Sequence, residues 1–108
     1  MTVKNINKTL LVGLLLGALL NAQSQTIRGA RSCGKWVTER NGIEGQSTTW
    51  LVGFLSGMAA ASSKDVLNGT DNPSLFLWMD NYCKANPLMD IDDGGNALFI
   101  ALAKKKNL

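Results

Sequence analysis

The chain has 108 residues, room for one small domain, with eleven Lys or Arg against eight Asp or Glu and no histidine. The missing histidine removes the commonest general base and metal ligand. The net charge of +3 has no basic face behind it, since the one cluster is Lys104-Lys105-Lys106 at the tail, so no nucleic-acid partner is expected.

Residues 1–9 carry Lys4 and Lys8 and no acid. Residues 10–20 are an unbroken run of apolar residues and glycine, and Asn21-Ala22-Gln23-Ser24 is a polar step. This is the order of a secretory signal peptide. The run has eleven residues, well short of the roughly 20 that span a bilayer. Cleavage after Ala22 places Leu20 and Ala22 at the two positions that face the peptidase. The expected product is a single domain over 23–108, periplasmic or secreted, with no membrane anchor. It keeps nine basic and eight acidic residues, a net charge of +1, so the basic balance of the whole sequence belongs partly to the leader.

Two cysteines remain, Cys33 and Cys83. In an exported protein an even count reads as a disulfide, and two allow one intramolecular pairing. A metal or redox pair is the weaker alternative, because neither a C-x-x-C spacing nor a histidine accompanies them. A bridge closing a loop of about 50 residues stabilises by on the order of 4 kcal/mol in the chain-entropy model, which matters for so small a core.

After the leader, 23–31 is polar and reads as loose. A first helix is expected over 32–40, with Ser32 as cap and Cys33, Trp36, Val37 and Arg40 on one face. Asn41-Gly42 signals a turn. A second helix is expected from 47 or 48 to 62. There Trp50, Phe54, Leu55, Met58 and Ala59 share a face that Leu51, Val52 and Ala61 widen. A helix apolar nearly all round is a buried one, so this one is expected at the centre of the domain. Gly53 and Gly57 form a G-x-x-x-G spacing; the stretch is too short for a membrane pair, and the expectation is close packing of another helix, or of Trp78, over these glycines.

Residues 63–67 can add a short turn, and Asn68-Gly69 with Thr70-Asp71-Asn72 is turn chemistry. Asn68-Gly69-Thr70 also fits the glycosylation sequon, here read as a chance match. A third helix follows, with Asn72 as cap, Pro73 at its first position and an end at Asn86-Pro87. Its stripe is Leu75, Trp78, Met79, Tyr82 and Cys83. The last helix is expected from Asp93 or Gly94 to Lys106, with Leu98, Ala101, Leu102 and Lys105 on one stripe, acids at its start and lysines at its end. No stretch alternates as a strand. The reading is an all-α fold, a compact bundle of four to five short helices with one disulfide.

Little in this pattern carries catalysis. Asp90-x-Asp92 opens like a calcium loop, but position five is Gly94 and position twelve is Ala101, so the bidentate acid is missing and helix capping accounts for the acids. Without histidine, a Ser or Cys nucleophile needs Lys, Asp or Glu as base, and Ser62-Ser63-Lys64 reads as a solvated helix end. Glu39 and Glu44 have no glycosidase signature around them. No enzyme, metal or cofactor is expected. The candidate residues are those of a binding protein: Trp36, Trp50, Phe54, Trp78 and Tyr82, as core or as protein contacts, since tryptophan is enriched at interfaces.

Tyr82-Cys83-Lys84-Ala85-Asn86-Pro87 resembles the second-cysteine motif of the HdeA/HdeB acid-stress chaperones of the bacterial periplasm. Trp50-Leu51-Val52-Gly53-Phe54-Leu55-Ser56-Gly57 is similar to that family's central helix, and also to the Rap/Tai-type immunity proteins of type VI secretion. The resemblance covers about residues 32–103 and its motifs are short. It implies an HdeA-like fold, a Cys33–Cys83 bridge and a homodimer. A chaperone of this kind opens in acid and binds unfolding clients. An immunity protein instead covers one secreted toxin. The sequence departs from the chaperone pattern in having fewer charges near its C-terminus and more tryptophan.

Overall fold

Four helices and one isolated backbone bridge, Ser32 with Asp90, make up the regular structure among the described residues. In this computed structural model the described residues are 25–42 and 45–108. The leader read in residues 1–22 and its cleavage site lie outside them, as does Glu44.

Helix α1 is Cys33–Arg40 and starts where expected, with the Ser32 side chain accepting from the Lys35 amide. Its buried side is Cys33, Trp36 and Glu39. Arg40, expected on the inner stripe, is instead exposed. One turn of helix fits an acid inward here because Glu39 finds donors there, as described below.

Helix α2 is Gln46–Ser62 and ends on Ser63 in the left-handed conformation, φ 55°, where Ser63 and Lys64 return their amides to Ala60 and Ala59. Its buried residues are Ser47, Leu51 and Leu55, while Trp50, Phe54, Met58 and Ala59 are half-buried. The expectation of a helix buried on all sides is therefore corrected. Among the described residues, α2 finds neighbours on one side and none on the other.

Helix α3 is Asn72–Ala85. Its cap is Asp71, one residue before the expected Asn72, and the Asp71 carboxylate accepts from the Ser74 amide at 2.8 Å. Asn72 is already helical, and Pro73 is accommodated in the first turn, where amides lack helical acceptors anyway. Leu75, Met79 and Cys83 are buried and Trp78 and Tyr82 half-buried, so the expected stripe forms.

Helix α4 is Ile91–Lys105, beginning two residues before the earliest expected start. The Asp93 carboxylate turns back to accept from the Asp90 amide at 3.2 Å, which brings Ile91 into the helix and the core. The buried stripe is Ile91, Gly94, Gly95, Leu98, Phe99, Leu102 and Ala103. Lys105, expected on it, is exposed, and Ala101 is half-buried.

The helices form a ring: α4 packs against α2 and α3, and α1 packs against the same two from the other side. Inside it lie Trp36, Leu51, Leu55, Met79, Ile91 and Leu98, all essentially without solvent contact, with Val66 from the α2–α3 connection. Each buried aliphatic residue of this kind contributes roughly 1.5–3 kcal/mol. Cys33 and Cys83 form a disulfide with Cα atoms 4.8 Å apart, joining the start of α1 to the end of α3. Beside it, the Cys33 amide donates to the Met89 carbonyl and the Ile91 amide to that of Arg31, so the entry to α1 and the entry to α4 share one short ladder.

Candidate protein-binding face

The two glycines of α2 are expected from the sequence to lie under a close neighbour. The structure corrects this: a Cβ built on Gly53 or Gly57 meets nothing within 4 Å among the described residues. Trp78 does not cover them, because it stacks on Tyr82 of its own helix, with ring centroids 5.7 Å apart. The glycines that do lie under neighbours are Gly94 and Gly95. A Cβ on Gly94 would come within 2.5 Å of the Met79 sulfur and 2.8 Å of the Tyr82 ring, and one on Gly95 within 2.8 Å of the Phe54 ring. Adjacent glycines on α4 thus admit α3 on one side and α2 on the other.

What α2 leaves outside is a smooth ridge. Thr49, Gly53, Ser56, Gly57 and Ala60 are exposed and follow one another at helical spacing. No Asp, Glu, Lys or Arg occurs anywhere in the 17 residues of this helix. Trp50 and Phe54 flank the ridge as a stacked pair, 4.8 Å between centroids. Beside them an open groove of about 490 Å³ is lined by Ile27, Thr49, Trp50, Gly53 and Phe54.

The far wall of that groove is the segment before α1. It carries no helix or strand, yet residues 28–31 are tied down, which corrects the expectation of a loose segment for that part of 23–31. The Trp50 indole N–H donates to the Arg28 carbonyl at 2.8 Å. Gly29, at φ 82°, presents its backbone so close to the indole that a Cβ would sit 2.9 Å from it. The Arg31 guanidinium donates to the Glu39 carboxylate at 2.5 Å and to the Gln46 side chain, and the Ser47 hydroxyl donates to Glu39 as well. Glu39 is the one charged residue that is buried among the described residues, 5% exposed. Burial of a carboxylate requires such partners. Among the described residues no buried side-group nitrogen or oxygen lacks one.

The other candidate residues are held as structure. Trp36 is fully buried, and its indole N–H donates to Asp80 at 2.7 Å. Arg40 pairs with the same carboxylate through Nε at 2.9 Å and lies 5.5 Å over the Phe76 ring. That hydrogen bond and the charge of Asp80 outweigh partial burial and hold the guanidinium proton more tightly than usual. Burial raises the Tyr82 phenol above the ordinary tyrosine value, with Asp93 and then Asp92 adding to the shift. Asp90, Asp92 and Asp93 place carboxylate oxygens within 4.8 Å of one another. Asp93 is engaged in capping, and acids at a helix start are accounted for by the dipole.

The sequence left Trp50 and Phe54 open between core and protein contact, and both are half-buried; it placed a close neighbour over Gly53 and Gly57, where none lies among the described residues. It missed Glu39 with Arg31 and Ser47. The available signal was spacing: Glu39 lies three residues from Trp36, as near the buried stripe as Arg40. Among the described residues no helix is long and apolar enough to cross a membrane. Compared with protein-family models, curated proteins and solved structures, the sequence and fold find no match.

Proposed function

We propose that this is an exported, HdeA-like binding protein of the periplasm or cell exterior, acting through protein–protein contacts on the outer face of α2. The observation that carries the reading is that face: a 17-residue helix without a single charge, where a Cβ on Gly53 or Gly57 would meet no described residue within 4 Å. A domain that needed α2 only for its core would gain from larger or charged residues there. The disulfide fits an oxidising compartment.

The partners in this reading are unfolding proteins in acid, with a homodimer closing the same faces near neutral pH. A two-fold contact sets a surface against itself, and an uncharged ridge meets no like charge when it does so. Acid would act on the fastenings. Glu39, Asp80, Asp71 and Asp93 each hold an amide, a hydroxyl, an indole or a guanidinium in place as carboxylates. Neutralising all eight acids moves the protein without its leader from +1 to +9, and self-repulsion then favours opening.

The test is suppression of client aggregation at about pH 2–3, below the carboxylate range. Wild type should suppress it, and Gly57→Lys, which adds a charge to the ridge without touching the core, should not. If wild type fails there but binds one secreted toxin in a fixed ratio, the protein is an immunity protein of the Rap/Tai type, and the chaperone reading is lost.

A further inference from the structure

Two Asn-Gly pairs lie among the described residues, and the structure treats them differently. Asn41-Gly42 ends α1, where the Gly42 amide donates to the Glu39 carbonyl at 3.1 Å and the Asn41 amide to that of Thr38. Asn68-Gly69 sits in the connection between α2 and α3. There the Thr70 amide donates to the Leu67 carbonyl, closing a turn around the pair, and no described backbone group accepts from the Gly69 amide. Asn68 and Gly69 are both exposed, Gly69 at φ 81°, and a Cβ on Gly69 would meet nothing within 4 Å.

We infer that Asn68 is a site of spontaneous covalent modification, converting through a cyclic imide to aspartate and isoaspartate, and that Asn41 is protected from the same reaction. The Gly69 amide nitrogen, on losing its proton, attacks the carboxamide carbon of Asn68. A new C–N bond forms, the bond from that carbon to its NH2 group breaks, and the nitrogen leaves as ammonia with the proton. Water then opens the five-membered ring. Cleavage at the carbonyl that came from the carboxamide gives aspartate. Cleavage at the backbone carbonyl gives isoaspartate, in which the main chain runs through the former side group. Water is the sole co-reactant.

Glycine favours the attack because no Cβ hinders its nitrogen. An uncommitted amide favours it again, since the nitrogen need not first leave an acceptor. Gly42 has to give up its bond to Glu39 and fray the end of α1. Asn68 needs a rearrangement only within an exposed turn outside any helix, the kind of place where change is tolerated.

The product alters one tie in the fold. The Lys106 ammonium donates to the Asn68 backbone carbonyl, fastening the α2–α3 connection to the end of α4. Conversion puts a carboxylate next to that ammonium, and the isoaspartate form shifts the carbonyl itself. The α2 ridge is not involved, so the modification leaves the proposed contact face as it is.

The experiment is incubation of the folded, oxidised protein at mildly alkaline pH, with peptide mapping by mass spectrometry and a separation that resolves isoaspartate. Asn68 should convert faster than Asn41 by on the order of tenfold, the scale of one amide hydrogen bond. The reduced, denatured protein provides the control, in which the two pairs should convert at similar rates. Equal rates in the folded protein, or faster conversion at Asn41, would overturn the inference. So would an Asn68 that stays intact in the fold while the denatured protein converts.

Discussion

Two glycine pairs sit in two helices of this domain, and they do opposite things. On α4, Gly94 and Gly95 lie under Met79, Tyr82 and Phe54 and set how near α3 and α2 come to α4. On α2, a Cβ on Gly53 or Gly57 would meet none of the described residues within 4 Å. Helical glycine costs about 1 kcal/mol relative to alanine wherever it occurs. On α4 that cost is offset by the packing it permits. On α2 no described neighbour supplies an offset, and the proposed contact face rests on that contrast.

The largest test of that contrast removes the covalent tie behind the α4 pair. Cys83 lies on α3 one residue after Tyr82, so the bridge to Cys33 fixes the helix that closes on Gly94. Cys33→Ser with Cys83→Ser should lower stability by on the order of 4 kcal/mol in the chain-entropy model. Denaturant unfolding measures it, and a loss below about 1 kcal/mol would mean that packing at Gly94 alone holds α3.

Next in size is Gly94→Ala. Its methyl group meets the Met79 sulfur and the Tyr82 ring inside the core. Overpacking costs about 1–3 kcal/mol, and alanine's helix propensity returns about 1 of it, so a net loss of up to about 2 kcal/mol is expected in the unfolding midpoint. Gly57→Ala, alone or with Gly53→Ala, should have the opposite sign, raising stability by about 0.5–1 kcal/mol per site. Destabilisation by Gly57→Ala would show that the ridge is covered in solution. Stabilisation together with weaker client suppression would place the contact there.

The smallest effect concerns the first turn of α3, which leads into Met79 and Tyr82. The hydrogen bonds from Ser74 lower the pKa of the Asp71 carboxyl. A lowered pKa means that the cap contributes stability above the ordinary aspartate range and loses it as pH falls through the lowered value. The Ser74 amide resonance should therefore move with pH below the usual carboxylate range in wild type and stay flat in Asp71→Ala. A wild-type amide that moves only within the ordinary range would remove Asp71 as the cap.

The elements themselves were legible because each has a local cause. Ser32 caps α1, Asn86-Pro87 stops α3, and the stripe of Leu75, Met79 and Cys83 needs only a period of 3.6. Boundaries slipped where two residues could cap equally well, as with Asp71 and Asn72. The face of α2 was not legible, because Trp50, Phe54 and Leu55 look alike to a periodicity argument. Which side is covered depends on how many helices remain to cover it. Glu39 stayed hidden for a related reason: a lone acid on a short helix reads as solvated until its donors, Arg31 and Ser47, arrive from other segments.

The three tryptophans have a practical consequence. Each indole rests on a different junction: Trp36 on Asp80 between α1 and α3, Trp50 on the Arg28 carbonyl of the leading segment, and Trp78 on the Tyr82 ring, which closes over Gly94. Variants that keep one tryptophan and replace the other two by phenylalanine would give three fluorescent reporters native to the fold. The Trp50 reporter sits at the edge of the open ridge, so its emission would register an arriving partner and a lifted leading segment, while Trp36 signals whether the ring of helices has held.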